Sequence, residues 1–174
     1  MKQLKPKDLR ISDPTEKDLR KIKRNPIYFI LDRIIDTYNV GSLFRLADAV
    51  AVKKMYLCGD MEFPPNSRIH KAAVGTEKWV PWKRETSTLK TVRKLKKKGV
   101  HVVAIEQSDK SVSWNTFKPE FPVAIVAGNE SEGLPQEVLD EVDAIVELPM
   151  YGINNSFNVW GSAAVVAYKV IESL

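Results

Sequence analysis

Apolar, strand-like segments alternate with helix-like segments along most of the chain, and this alternation restricts the fold more than any other feature. The strand-like segments are rich in Val, Ile and Leu and nearly continuous, which is typical of strands buried on both faces. They are predicted at residues 27–31, 54–58, 100–106, 122–127 and 144–148. Helices are predicted at residues 41–50, 65–73, 88–98, 135–141 and 156–171. The pattern predicts an α/β fold, a single parallel-sheet domain with helices on both faces.

The start of the chain differs in composition, so residues 1–26 are predicted to form a basic N-terminal extension to a domain at residues 27–174. Residues 1–24 hold nine Lys or Arg and four Asp or Glu, a surplus equal to the +5 net charge of the whole chain. Their later part fits a short basic helix or an unstructured arm. A second basic run, residues 83–98, has eight bases and one acid, Glu85. Each cluster fits either a polyanion-binding surface or a solvated helix face.

The single cysteine, Cys58, excludes an intramolecular disulfide, and the sequence contains no zinc-ligand spacing. Cys58 ends an apolar run, so we expect a buried, inert thiol. No apolar segment approaches the ~20 residues of a membrane-spanning helix, and the N-terminus lacks the pattern of a signal peptide. We therefore expect a cytoplasmic protein that uses no metal ion and does not associate with a membrane.

Three loops combine glycine with Asn, Asp, Glu or Ser, at residues 36–41, 128–133 and 149–156. Each follows a predicted strand and leads into a predicted helix, and ligands bind beyond the carboxyl ends of parallel strands. The patterns G-x-G-x-x-G and G-x-x-x-x-G-K-[ST] are absent, which argues against a dinucleotide or P-loop site. Glu130 and Glu132 would repel a triphosphate, so a neutral or cationic ligand suits the second loop better.

These loops lie in three motifs that resemble those of the SpoU branch of the SPOUT methyltransferases, which includes tRNA and rRNA ribose 2′-O-methyltransferases. The motifs are NVGSLFR at residues 39–45, IVAGNESEGL at residues 125–134, and LPMYG followed by NSFNV at residues 148–152 and 155–159. Together they span nearly the whole chain after the extension. Two departures are mild: Phe157 stands where leucine is usual, and Ala51 where the family often has glycine.

The resemblance implies a SPOUT-type fold with a C-terminal deep trefoil knot, made by threading the C-terminal segment through a loop. It also implies S-adenosylmethionine as cofactor, RNA as substrate and a homodimer with the active site near its interface. In the last predicted helix, Trp160, Val165 and Tyr168 are expected to meet the partner, with Gly161 and Ser162 permitting close approach. The core-facing stripe is Val159, Ala163, Val166 and Val170.

The resemblance also implies which residues form the site. The cofactor-binding positions are Ala127, Gly128, Asn129, Leu148, Met150, Ser156, Phe157 and Asn158. The catalytic positions are Asn39, Arg45, Glu130, Ser156 and Asn158. Gly128 is expected to let the backbone approach the ligand, and Glu130 to orient Arg45 or Asn39. Arg45 is too basic to act as a simple base and is expected to stabilise an alkoxide or grip a phosphate, unless it only pairs with Asp48.

Two other functions remain open. One is a SPOUT enzyme that methylates an RNA base, against which the Ser156-Phe157-Asn158 segment favours ribose. The other is a non-catalytic RNA-binding protein of the same fold, against which Arg45 and Glu130 argue. The sequence leaves open whether the substrate is tRNA or rRNA, which nucleotide is modified, and which basic segment contacts the RNA.

Overall fold

The structure, a computed structural model, describes Lys5, Ile11 and residues 13–174. Of the predicted basic extension, residues 1–4, 6–10 and 12 lie outside the described residues. The described part contains a short helix, α1 (Glu16–Lys21), whose first turn is closed by reciprocal hydrogen bonds between Thr15 and Asp18. The first strand begins at Asn25, so the expected boundary at residue 26 falls inside it. The division into extension and domain stays a prediction.

A seven-stranded sheet forms the centre of the described chain, and its strands all pair in parallel, as predicted. The strands are β1 (Asn25–Asp32), β2 (Val52–Cys58), β3 (Trp82–Glu85), β4 (His101–Ile105), β5 (Val112–Ser113), β6 (Val123–Ala127) and β7 (Ala144–Glu147). Their spatial order is β3-β2-β1-β6-β4-β7-β5. The two edge strands, β3 and β5, were not predicted. Both are short and half exposed, and therefore lack the continuous apolar run of a central strand.

Helices cover both faces of the sheet, which confirms the predicted layers. They are α2 (Thr37–Ala49), α3 (Ser67–Ala73), α4 (Thr88–Lys96), α5 (Gln136–Leu139) and α6 (Val159–Ile171), with a 3-10 turn at Thr76–Lys78. Side chains of α2, α3 and α6, such as Phe44, share one core with alternate residues of the central strands, such as Phe29. The opposite core joins α4 and α5 to Ile30 and Val102. Each large side chain buried there contributes roughly 1.5–3 kcal/mol of transfer free energy.

Two helices begin three or more residues from their predicted start, because capping side chains determine where they begin. Helix α2 starts at Thr37 rather than residue 41, since the Asp36 carboxylate accepts the Tyr38 N–H at 2.8 Å. Helix α6 starts at Val159 rather than residue 156, since Asn158 is its cap and accepts the Trp160 N–H at 3.0 Å. The predicted cap, Ser156, was therefore wrong.

The carboxyl ends of four central strands are level with one another. Ala127 at the end of β6 is in register with Leu31 of β1 and with Ile105 of β4, and Ile105 is in register with Val146 of β7. The segments that follow these strands therefore leave the sheet at one edge and can meet there.

The buried position predicted for Cys58 is confirmed. Burial raises the pKa of its thiol to about 11, so the thiolate is scarce at neutral pH. Among residues 13–174 no helix is long and apolar enough to cross a bilayer. The threading of the C-terminal segment into a knot stays a prediction.

Candidate functional site

A cavity of about 910 Å³ lies at the carboxyl edge of the sheet, within the 300–1,000 Å³ usual for small-molecule sites. Its walls come from the segments that follow β1, β4, β6 and β7, and from the start of α6. The three glycine-containing loops singled out in the sequence meet here, because the strands before them end level.

Glu130, in the loop after β6, fastens that loop to the start of α2. One carboxylate oxygen accepts the Asn39 side-chain N–H at 2.8 Å and the Asp36 backbone N–H at 3.1 Å. The other accepts the Ile35 backbone N–H at 2.8 Å. Glu130 thus orients Asn39 and neutralises backbone donors at a helix N-terminus, where a carboxylate is favoured.

These hydrogen bonds also decide the charge of Glu130. Burial alone would raise its pKa, but the Asn39 amide and the two backbone N–H groups outweigh that effect and hold the pKa below its ordinary value. The group is therefore an ionised acceptor whose lone pairs are largely occupied. It suits the work of positioning Asn39 better than that of a proton acceptor.

Asn39 continues the network into the third loop. Its side-chain oxygen accepts the Asn158 side-chain N–H at 3.1 Å, while the oxygen of Asn158 caps α6. Asn39 is 6% exposed, so its two contacts fix it firmly, whereas Asn158 is exposed to the cavity. One chain of hydrogen bonds therefore links the first, second and third motifs.

The second loop, residues 128–134, folds back on itself. Asn129 and Gly133 form an antiparallel bridge, and the Asn129 side chain accepts the N–H groups of Ser131 and Glu132 at 2.9 Å. A Cβ atom added at Gly128 would lie 2.8 Å from Leu134 Cγ and 2.9 Å from the Gly133 carbonyl carbon. Gly128 is therefore required by the returning loop, and because it also lines the cavity its expected role in letting the backbone approach a ligand stays a prediction.

The third loop is the most open part of the cavity wall. Every residue from 151 to 158 is exposed, and the loop is tethered by Gln107, whose side chain donates to the Asn155 carbonyl at 2.6 Å. The Phe157 ring lies over Gly161, where a Cβ atom would come within 2.7 Å of it. Gly161 thus accommodates a ring of its own chain, and its expected role of admitting a partner helix stays a prediction.

Arg45 does not join the other predicted catalytic residues. It is exposed on α2 and lines a second, smaller cavity with Asp48, Trp79 and residues before β1. Among the described residues it forms no ion pair, and Asp48 instead accepts the Trp79 indole N–H at 2.7 Å. Of the two residues that Glu130 was expected to orient, the structure therefore shows Asn39 and not Arg45 within one copy of the chain, and the alternative pairing of Arg45 with Asp48 was wrong.

All the other predicted site residues line the cavity. They are Asn39, Ala127, Gly128, Asn129, Glu130, Leu148, Met150, Ser156, Phe157 and Asn158. Sequence reasoning missed the segment after β4, where Glu106 accepts the Leu134 N–H at 3.0 Å and Gln107 holds the third loop. The rule that ligands bind beyond strand ends applied equally to this segment, but it has no glycine to attract notice.

The charge of the cavity wall has one sign. Five carboxylates line it, and among the described residues that line it there is no Lys or Arg. The carboxylates belong to Asp36, Glu106, Glu130, Glu132 and Glu147. No group of His, Cys, Asp and Glu within residues 13–174 is arranged to hold a metal ion. The wall favours a cationic organic ligand and disfavours a phosphate.

Comparison with known proteins assigns this geometry to a family. The model of the SpoU rRNA methylase family matches residues 26–168. The chain is 32% identical over 148 residues to the 23S rRNA (guanosine-2′-O-)-methyltransferase RlmB of Neisseria meningitidis, covering 85% of this chain and 59% of that protein. It spans 56–63% of the length of the first three curated relatives it matches.

Solved structures agree with the fold. The AdoMet-bound rRNA methyltransferase from Sinorhizobium meliloti superposes with a TM-score of 0.81 at 29% identity, covering 90% of this chain and 60% of that one. The TrmH/SpoU tRNA-modifying enzyme of A. aeolicus also gives 0.81, at 25% identity, covering 91% of this chain and 83% of that one. The SPOUT-type arrangement implied by the motifs is thereby confirmed.

Proposed function

The chain belongs to the SpoU rRNA methylase family, and on that premise we propose that it transfers a methyl group from S-adenosylmethionine to a ribose 2′-hydroxyl of tRNA or rRNA. The observation that carries the proposal is the Glu130–Asn39–Asn158 network, which joins the three family motifs inside one cavity. RlmB is a ribose 2′-O-methyltransferase by its name, and the similarity to it covers 85% of the present chain.

The cavity fits the proposed cofactor. S-adenosylmethionine carries a sulfonium, which supplies an already activated methyl group. The acidic wall favours such a cation, and Leu134, Leu148 and Met150 offer apolar surface for an adenosine group. Exposed backbone of the third loop can read the edge of a base without a charged side chain. We propose that the transfer needs no metal ion, because the sulfonium already activates the methyl group.

The side chains at the cavity position the acceptor hydroxyl. Asn158 and Ser156 are exposed on the cavity wall, and the partly buried network behind Asn158 prevents its amide from rotating. A hydroxyl needs its developing negative charge stabilised, because none of these groups is basic enough to remove its proton outright. Arg45 is the cation that the family motif supplies for this purpose.

Arg45 reaches such a site only from a second copy of the chain. It lies outside the cavity of its own copy, and its guanidinium is free of carboxylate partners among the described residues. We propose that a homodimer places each Arg45 at the cavity of the other copy. There it would stabilise the alkoxide or grip the adjacent phosphate, as a planar fork of donors does well.

An apolar surface supports the proposed dimer. Large apolar side chains remain exposed on α6, on the third loop and before and within α2, beside the cavity. They are Ile35, Tyr38, Tyr151, Ile153, Phe157, Trp160 and Tyr168. Isolated apolar residues on a surface are ordinary, but a group of this size on neighbouring elements marks an interface. The buried side of α6 comprises Ala163, Val166 and Val170, so the helix has a second side for a partner.

Two alternatives are distinguished by experiment. A base methyltransferase would leave the methyl on a nucleobase, and a non-catalytic RNA-binding protein would leave no methyl at all. Mass spectrometry of digested tRNA and rRNA, from a strain that lacks the protein and from the complemented strain, identifies the nucleotide. We expect one 2′-O-methylated nucleotide to disappear and return. A change confined to base methylation would contradict the proposal. The location in the cytoplasm stays a prediction.

A further inference from the structure

Helix α4 and the residues directly after it carry more basic side chains than those that pair with carboxylates of neighbouring elements. Three of its bases are engaged: Arg93 donates to Glu141 at 2.7 Å, Lys96 pairs with Asp143 at 2.8 Å, and Lys94 lies 3.4 Å from Glu85. Lys90 in the helix, and Lys97 and Lys98 directly after it, are exposed and have no carboxylate partner among the described residues. The engaged bases therefore attach the helix to its neighbours, while the other three face solvent.

This arrangement costs the helix stability. Its first turn contains Lys90 and no acid, which opposes the helix dipole. Lys90 and Lys94 are like charges spaced i and i+4 within the helix, an unfavourable arrangement. The bases of the last turn, Arg93, Lys94 and Lys96, suit the negative end of the helix dipole, whereas Lys90 in the first turn has no such compensation. A bound polyanion would relieve the repulsion.

The charges form one groove. Lys90, Arg93, Lys94, Lys97 and Lys98 line a shallow cavity of about 480 Å³ on the α4 side of the domain. From Lys90 to Lys96 the helix rises about 9 Å, and Lys97 and Lys98 follow directly, so the row of bases can follow several phosphates of a nucleic acid strand. Lys83 on the edge strand β3 lies 3.0 Å from Glu85, the same carboxylate that Lys94 of the groove approaches.

Contacts connect this groove to the candidate site. The Thr88 hydroxyl in the first turn of α4 donates to buried Asp32 at the end of β1. Arg33 donates to Asp32 at 3.1 Å and to Glu132 of the cavity wall at 2.5 Å. The Lys90 end of the groove is therefore at the same sheet edge as the cavity. An RNA strand whose nucleotide enters the cavity can continue along α4.

We propose that the α4 basic groove, lined by Lys90, Arg93, Lys94, Lys97 and Lys98, binds the phosphate backbone of the substrate RNA outside the reaction site. The inference rests on the proposed function, since it takes RNA as the substrate. It selects one of the two basic segments between which the sequence left the RNA contact open. Binding through phosphates makes the groove insensitive to sequence and sensitive to salt.

The test compares two triple variants of the full chain that lose the same charge. Lys90→Gln/Lys97→Gln/Lys98→Gln alters the groove, and Lys71→Gln/Lys110→Gln/Lys118→Gln alters exposed lysines elsewhere. The probes are fluorescently labelled bulk tRNA and bulk rRNA, titrated at several salt concentrations. We expect the groove variant to bind about tenfold more weakly or worse, with a salt slope smaller by about 2, as for three lost phosphate contacts. Its cofactor affinity and its methyl transfer at saturating RNA should be unchanged.

Each other outcome overturns the inference. Equal weakening in both variants would mean that only net charge matters. Wild-type affinity in the groove variant would place the RNA elsewhere and leave the groove to another partner, such as an acidic protein. If the wild-type chain bound neither RNA, the proposed function would fail together with the inference. The wild-type titration therefore separates the two failures.

Discussion

The side-chain amide of Asn158 donates a 3.1 Å hydrogen bond to the amide oxygen of Asn39, a residue 119 positions earlier in the chain. The direction of this bond is determined by Glu130. A carboxylate only accepts, so the nitrogen of Asn39 must face Glu130 and its oxygen must face Asn158. The hydrogen bonds that join the three motifs thus have a fixed donor-to-acceptor polarity, in addition to meeting at one place.

Replacing Asn158 by Asp tests that polarity. Aspartate is as good a helix cap as asparagine, so the thermal stability of Asn158→Asp should stay close to that of the wild type. The new carboxylate would face the oxygen of Asn39 and lose the hydrogen bond, so we expect methyl transfer to fall by about a hundredfold. Single-turnover assays beside thermal melts measure both quantities.

Asn158→Ala is the matched comparison, because it removes the cap as well and should cost about 1 kcal/mol of stability. Normal transfer by Asn158→Asp would show that the bond between the two asparagines does not matter for the reaction.

Glu130 should make the thermal stability of the fold depend on pH in the acidic range. Its pKa is below the ordinary 4.5 in the folded chain. The ionised carboxylate therefore stabilises the fold above pH 4.5, and this stabilisation is lost as the pH falls through the lower, folded pKa. The melting temperature of Glu130→Gln should be below that of the wild type at neutral pH, and the difference should shrink in acid. Melts across this range, with exposed Glu120→Gln as control, would refute the assignment if the difference were constant.

Arg45 should affect chemistry without affecting the fold. Its side chain is exposed and unpaired among the described residues, so Arg45→Ala should change stability little and leave cofactor affinity intact. Methyl transfer should fall by about a hundredfold or more, and Arg45→Lys should not restore it, because lysine lacks the planar fork. A collapsed melt would assign Arg45 a structural role instead.

Mixing two inactive variants tests whether Arg45 acts across a dimer. In a mixed dimer of Arg45→Ala and Asn158→Asp, one of the two sites has both residues intact. Random re-association of equal amounts should therefore recover about a quarter of the wild-type activity. No recovery, while sedimentation shows mixed dimers, would place Arg45 and Asn158 in the same copy's site or remove Arg45 from the reaction.

Gly128→Val should damage the loop as well as the ligand site. A side chain there meets the Gly133 and Leu134 backbone, which cannot move without opening the returning loop. We expect cofactor binding and thermal stability to fall together, the stability by about 1–3 kcal/mol, as for overpacking. Calorimetry and melts measure the two effects. Lost binding with an unchanged melt would favour direct obstruction of the ligand.

The central strands and both helix layers could be predicted from the sequence, because strands such as β6 are uniformly apolar and helices such as α4 have a regular apolar stripe. Edge strand β3 could not, since Trp82–Glu85 is mostly charged and forms a strand only by pairing with β2. The true start of α6 was missed because Ser156 and Asn158 are both good caps, and the contact with Asn39 decides between them.

The site was predictable in its membership but not in its geometry. Motif spacing places Arg45 six residues after Asn39, yet a helix carries it away from the strand ends that Asn39 faces. Likewise, the glycine at position 128 indicates a close packing contact but does not identify the neighbouring residue. Only the folded chain shows that the neighbour is Leu134.

The most direct test of the proposed activity is to locate the methyl group that the purified protein transfers. Unmodified bulk tRNA and rRNA are incubated with isotopically labelled S-adenosylmethionine and a metal chelator, digested to nucleosides and analysed by mass spectrometry. We expect label on a ribose 2′-oxygen, undiminished by the chelator and reduced about a hundredfold with Asn158→Asp. Label on a nucleobase, or no label on either RNA, would contradict it.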